Sequence, residues 1–281
     1  MKSTRSLAPT HWHNHTLTWG ERTLVMAIVN ATPNSFSSDG VGGNIGAAIA
    51  LAEEAVAAGA AIIDVGAEST RPGHEPIDAD EELRRLLPVL RAIDPRLSLP
   101  ISVDTSKAAV AEAALDAGAA IVNDVRGFTF DPELAHVVAR RGVPAILMHD
   151  AVPDDHDDLL MSLLRELSRR LDRAVAAGVA WDHLIVDPGF GFGKDWRQNL
   201  ELLRRLSELR VLGRPILVGF SRKSTIGRVL GLPPEDRLEG TLATTALAIA
   251  GGADMIRVHD VRANVRAARM ADAVVRGVAE T

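Results

Sequence analysis

The chain has 281 residues, of which 47% are hydrophobic, 24% charged and 4% aromatic. That apolar share supports a packed core and excludes a disordered or fibrous chain. The absence of cysteine excludes a disulfide scaffold, a thiol nucleophile and a cysteine-ligated metal. The net charge is −6, and 31 Lys and Arg are scattered among 37 Asp and Glu, so no basic face for nucleic acid is visible. The stretch Met1–Trp19 carries Lys2, Arg5 and three histidines but not the apolar run of a signal peptide, and the apolar segments near Ile45–Ala52 and Ala243–Met255 are too short or interrupted to span a bilayer. These features predict a cytoplasmic protein of one domain, residues 1–281, that handles small molecules rather than nucleic acid or membrane. Residues 1–15, with His11, His13 and His15, are expected to be a flexible polar terminus.

In chain order, short β-branched runs follow glycine or proline and end in a polar residue. They are Leu24–Asn30, Ala61–Asp64, Ile101–Asp104, Ala120–Asn123, Ala145–His149, Leu184–Asp187, Ile216–Gly219 and Met255–His259. Continuous apolar runs of this length belong to parallel strands buried on both faces. Between them, helical periodicity marks Ala47–Ala58, Glu81–Ala92, Ala108–Asp116, Leu159–Ala177 and Leu200–Leu209. A weak repeat joins helix to strand through Ala58-Gly59-Ala60, Ala117-Gly118-Ala119 and Ala177-Gly178-Val179, with Gly251-Gly252-Ala253 as a variant. Glycine there suits the left-handed position after a helix. Eight such units predict an α/β fold, a (β/α)₈ TIM barrel. Thr16–Thr23, with Gly20 at its middle, is expected to form a short N-terminal hairpin closing the barrel's bottom.

Active sites of such barrels form at the carboxyl ends of the strands. Those ends read Asn30, Asp64, Asp104, Asn123, His149, Asp187, Ser221 and His259. Any one of them is an ordinary wet strand end. As a set they bring carboxylates, amides and imidazoles to one cavity.

Three segments suit anions. Gly66-Ala67-Glu68-Ser69-Thr70-Arg71-Pro72-Gly73 combines hydroxyls, a guanidinium and approachable backbone N–H groups. Gly219-Phe220-Ser221-Arg222-Lys223-Ser224 precedes a helix that its serines are expected to cap. Arg257 and His259, two residues apart, point the same way. Together they read as sites for a diphosphate and a carboxylate. No Walker-type Gly-x-x-x-x-Gly-Lys-Ser/Thr occurs, and Gly189-x-Gly191-x-Gly193 does not match the dinucleotide spacing. In Asp187-Pro188-Gly189-Phe190-Gly191-Phe192-Gly193-Lys194, an acid followed by two phenylalanines suits a flat heterocycle: the carboxylate accepts N–H groups from one edge while apolar groups cover the face. The acidic run Asp150–Asp158 reads as a solvated loop rather than a metal site. Lys107, Lys194 and Lys223 all fall just beyond strand ends.

These motifs resemble the dihydropteroate synthase family from about Val25 to Arg269. The resemblance rests on Ile28-Val29-Asn30-Ala31-Thr32-Pro33-x-Ser35-Phe36-Ser37, Ile63-Asp64-Val65-Gly66-x-Glu68-Ser69-Thr70-Arg71-Pro72-Gly73, Ile101-Ser102-Val103-Asp104-Thr105-Ser106-Lys107 and Val122-Asn123-Asp124. It continues through Leu147-Met148-His149, the Asp187–Lys194 segment, Ser221-Arg222-Lys223-Ser224 and Ile256-Arg257-Val258-His259-Asp260. It implies a magnesium-dependent transferase of folate biosynthesis that joins 4-aminobenzoate to a dihydropterin diphosphate, acting as a homodimer through outer helices. By the same resemblance Asp104, Asn123, Asp187 and Lys223 grip the pterin. Asn30, Thr70, Arg71, Arg257 and His259 hold the diphosphate, with Asn30 also a magnesium ligand. Phe36, Pro72, Phe192 and Ser224 surround the aminobenzoate, and the catalytic set is Asp104, Lys223, Arg257 and His259.

The chain departs from the family in two places. The first loop has Asn34 and Ser38, with Asp39 displaced by one, where the family carries Thr-Pro-Asp-Ser-Phe-x-Asp-Gly-Gly. The family's Gln-Gly-x-Pro after His149 is replaced by the acidic run. Two rival readings share the pterin grip: a pterin-dependent methyltransferase, which has no need of the anion loops, and a weakly active or non-catalytic paralogue, which the altered first loop favours.

Overall fold

The computed structural model describes residues 7–31, 45–68, 75–152 and 158–278. Two short strands, β1 (Thr10–Trp12) and β2 (His15–Leu17), form an antiparallel hairpin. Eight parallel strands follow: β3 (Leu24–Asn30), β4 (Ile62–Gly66), β5 (Ile101–Asp104), β6 (Ile121–Asp124), β7 (Ala145–Met148), β8 (Leu184–Asp187), β9 (Leu217–Val218) and β10 (Met255–Val258). The helices among them are α1 (Ile45–Ala58), α2 (Ala79–Ile93), α3 (Ala108–Asp116), α4 (Glu133–Arg141), α5 (Leu159–Ala176), α6 (Trp196–Arg204), α7 (Ser224–Leu230), α8 (Leu238–Ala250) and α9 (Val261–Val275).

The strand order is β8-β7-β6-β5-β4-β3-β10-β9. A single parallel bridge, Val186 to Ile216, joins β8 to the segment leading into β9 and closes the ring. The protein is therefore a TIM barrel, as the alternation of apolar runs and helices predicts. Strands β4 to β8 are buried at every position, because the packed interior covers one face and the helices the other. Strand limits agree with the predicted runs to within two residues. The predicted helix Leu200–Leu209 is in fact α6 followed by a 3₁₀ turn at Leu206–Leu212. Among the described residues no helix is long and apolar enough to cross a membrane.

Polar residues at the helix ends set where helices start and stop. Asp78 and Asp158 accept backbone N–H groups at the starts of α2 and α5, and Asp195 with Gln198 forms a reciprocal capping box at α6. The repeated helix-to-strand glycine is left-handed in each case, as at Gly118 (φ +106°), where a Cβ would lie 2.4 Å from the Asp94 carboxyl carbon.

The hairpin corrects the sequence reading in register. Its turn is His13-Asn14, with His13 in the left-handed region at φ +45°, rather than Gly20. Residues from Thr10 onward thus lie in ordered structure instead of a flexible terminus. The hairpin does sit at the barrel's bottom: the Thr10 hydroxyl donates to the Asp182 carbonyl at 2.6 Å, ahead of β8, and Trp19 Nε1 donates to Thr10 Oγ1 at 3.1 Å.

Candidate active site

At the carboxyl ends of the strands the barrel opens into a polar cavity. Asn123, Asp187, Phe192, Ser221, Lys223, Arg257 and His259 line it, with Ile28, Val125, Met148 and Gly219. A wider hollow on the outer wall, lined by Met161, Leu164, Trp181 and Val211 among others, is open and mainly apolar and gathers no comparable charged set. The cavity takes Asn123 from the end of β6, Asp187 from β8 and Arg257 from β10. Parallel strands of matched length deliver these side chains to the same rim.

Arg257 is the electrostatic hub. Its Nε donates to Asp64 Oδ2 at 2.6 Å and its Nη2 to Asp104 Oδ2 at 2.8 Å, while Asn123 Nδ2 donates to the same Asp64 oxygen at 3.2 Å. Asp104 does not itself line the cavity, but it reaches the set through Arg257. Burial raises the Asp104 carboxyl to about 7, against the pull of Arg257 and with Asp64 adding to the rise.

Asp187 and Lys223 form the other wall. Burial also raises Asp187, opposed by Lys223 and by the Gly189 N–H that donates to its Oδ1 at 2.7 Å. The Lys223 ammonium donates to the Phe190 carbonyl and lies 4.5 Å from the centroid of the Phe192 ring. Burial brings it down to about 8. The two phenylalanines of the glycine-rich segment divide their duties. Phe190 is buried and packs on Phe220 at 4.8 Å between ring centroids, whereas Phe192 faces the cavity. Gly189 permits this turn, since at its φ of +70° a Cβ would stand 1.8 Å from the His149 carbonyl oxygen.

A second, buried layer holds the rim in place. Lys194 Nζ donates to His149 Nδ1 at 3.0 Å, to the Gly189 carbonyl at 3.1 Å and to the Phe192 carbonyl at 2.9 Å. Burial lowers Lys194 to about 7, and burial with the neighbouring cations lowers His149 to about 3. Lys107 Nζ joins Glu68 and Glu82, both at 2.5 Å.

Arg257 and His259 share the cavity, as their spacing predicts. Ser221 Oγ lies 3.1 Å from His259 Nδ1 and accepts the His259 backbone N–H at 3.2 Å. Several expectations change. The N-cap of α7 is Lys223, and no side chain caps that helix, because Ser221 is engaged with His259. Arg222 does not join an anion site: its fork is held by Asp260 at 2.9 and 2.5 Å. Ser224 is exposed at the first turn of α7 and does not line the cavity. Asp150 is not merely solvated, since it pairs with Arg126 at 2.8 Å and with buried Arg170 at 2.7 Å, and Asp158 is a helix cap. Asn30 ends β3 opposite Gly66. Phe36, Thr70, Arg71 and Pro72 lie outside the described residues, as do Asn34, Ser38, Asp39, Asp154 and His156. Asp64 was legible only as a polar strand end, and nothing in the sequence pairs it with Arg257, 193 residues away.

The ionisation of the rim predicts a narrow pH profile. If ionised Asp104 and protonated Lys223 both serve the reaction, kcat/KM rises through about pH 7 and falls above about pH 8, following the free protein. A profile flat from about pH 5 to 9 would remove both from that role.

A TIM barrel whose mouth opposes buried acids to cations beside an aromatic face has the layout of a barrel enzyme's active site. The profile of the family described as pterin binding enzyme matches residues 26–259. A dihydropteroate synthase of Clostridium beijerinckii is 47% identical over 92% of this chain and 96% of its own. A crystal structure of the Clostridium difficile dihydropteroate synthase in the presence of pteroic acid superposes with a TM-score of 0.89 at 49% identity, covering 92% of this chain and 99% of that one. The Xanthomonas albilineans enzyme in complex with 7,8-dihydropteroate gives a TM-score of 0.84 at 41% identity, covering 93% and 96%. The chain belongs to the dihydropteroate synthase family of pterin-binding enzymes, and it is a transferase.

Proposed function

We propose that the barrel mouth joins 4-aminobenzoate to the methylene of (7,8-dihydropterin-6-yl)methyl diphosphate, giving 7,8-dihydropteroate and diphosphate. The observation that carries this reading is the convergence of Asn123, Asp187, Lys223, Arg257 and His259 on one cavity. Structures of relatives in the presence of pteroic acid and in complex with 7,8-dihydropteroate support a pterin ligand.

The methylene–oxygen bond breaks with its electron pair leaving on the diphosphate. The arylamine nitrogen then forms the new carbon–nitrogen bond and gives up a proton, so no protein nucleophile is required. Asp187 accepts ring N–H groups, Lys223 donates to ring acceptors, and Asn123 binds a neighbouring edge. The Asp104 carboxylate favours positive charge developing on the ring. Cationic Arg257, with His259, Thr70 and Arg71, meets the charge that grows on the diphosphate. Phe192, with Phe36 and Pro72, is assigned to the aminobenzoate.

The donor set also bears on a metal. Asn30, at the end of β3, offers a neutral amide oxygen. A single oxygen ligand of this kind fits magnesium, which keeps several waters and takes substrate phosphate oxygens. Asn30 would hold it, and when bound it supplies charge neutralisation to the leaving group. The cytoplasm, where a biosynthetic step draws its substrates, is the proposed setting. Exposed Leu247 on α8 and Met270 and Val274 on α9 support a homodimer through the outer helices.

The test is a pyrophosphate-release assay on the purified protein with magnesium. Release from the dihydropterin diphosphate is expected only when 4-aminobenzoate is present. Tight pterin binding without release would contradict this function.

A further inference from the structure

Asp64 ends no loop and touches no solvent, yet it sits under the cavity with 0% exposure. Its Oδ2 accepts from both Arg257 Nε (2.6 Å) and Asn123 Nδ2 (3.2 Å), and its Oδ1 is buried without a hydrogen-bond partner among the described residues. A carboxylate accepts only, so it selects the nitrogen end of the Asn123 amide. Asn123, itself 3% exposed, is among the residues lining the cavity. With one N–H spent on Asp64, the amide keeps its oxygen and its second N–H in a fixed order.

We propose that Asp64 is a positioning and specificity residue: it locks the Asn123 amide so that the site meets a ligand edge with an ordered acceptor and donor. This rests on the pterin reading above. In 7,8-dihydropterin, N8 carries a hydrogen beside the bare N1, a donor–acceptor pair that an ordered amide complements. In the oxidised pterin both nitrogens are acceptors, and the amide oxygen then faces a lone pair. Asp64 thereby makes the oxidation state of the ring a criterion for binding. Without Asp64 the amide can turn over, and the discrimination fades.

The experiment measures dissociation constants of 6-hydroxymethyl-7,8-dihydropterin and 6-hydroxymethylpterin by fluorescence titration, taking their ratio for each variant. Wild type is expected to prefer the dihydro form, and Asp64→Ala to narrow the ratio by about tenfold, the scale of one directed hydrogen bond. Asp64→Asn is expected to retain most of the ratio, because its amide oxygen can still accept from Arg257 and Asn123. Asn123→Ala narrows the ratio as far as Asp64→Ala does, and combining the two adds nothing further. Equal weakening of both ligands in Asp64→Ala, or loss of the ratio in Asp64→Asn, would overturn the inference. If Asp64→Ala does not fold, an unchanged ratio in Asn123→Ala overturns it as well. A wild-type protein that binds neither heterocycle would overturn the pterin reading itself, which sets that failure apart from this one.

Discussion

Lys223→Ala is expected to weaken binding of the dihydropterin by about a hundredfold, the upper range for a hydrogen bond to a charged group. The side chain is not replaceable by solvent. It donates to the Phe190 carbonyl, rests against the Phe192 ring and faces Asp187, so its removal takes away the cation that acts most strongly on that buried acid. Asp187→Ala should weaken binding on a similar scale from the opposite side, and it also releases the Gly189 N–H held at 2.7 Å. Fluorescence titration with the pterin reads both. Unchanged affinity in either variant would put the heterocycle somewhere else in the barrel.

A second large effect is expected in stability. Arg257→Met strands Asp64 and Asp104, both nearly devoid of solvent contact, beside each other without the guanidinium that joins them. Breaking a buried ion pair from one side costs about 3–5 kcal/mol. Two compensating changes follow from that cause. Asp104 is already raised to about 7, from an ordinary value of 3.8, by burial. Loss of Arg257 raises it further, so the folded state takes up a proton more readily than the unfolded chain. The penalty is therefore full above the folded value and shrinks as pH falls through it. Thermal unfolding should show Arg257→Met most impaired at pH 8 and closer to wild type near pH 5, and adding Asp104→Asn should recover part of the loss at pH 8. A deficit independent of pH would assign the role of Arg257 to packing.

The barrel was legible because parallel strands buried on both faces leave unbroken apolar runs, as in Ile101–Asp104 and Leu184–Asp187, whose limits match β5 and β8. The site was legible through the polar residue that ends each run. Its wiring was not. Asp64 meets Arg257, and Ser221 meets His259, only because β10 lies between β3 and β9, with β4 next to β3, a proximity that spacing along the chain does not encode. Arg222 shows the converse. Its neighbours made it look like part of an anion loop, but Asp260 captures it across the same junction. The hairpin lies ahead of Gly20 because the burial of Trp12 and Leu17 sets the alternation that puts the turn at His13-Asn14.

One joint of the barrel is knit more loosely than the rest. Strand β9 has only two residues, and between it and β8 the ring is held by the Val186–Ile216 bridge. Asp187 stands immediately past one side of that seam, and Gly219, Ser221 and Lys223 stand past the other. On the proposed reading, a ring compound gripped by Asp187 and Lys223 at once would act as a staple across it. Ligand occupancy is then expected to slow backbone amide exchange along 184–190 and 216–223 more than elsewhere in the wall, making breathing of the cylinder and loading of its mouth one equilibrium.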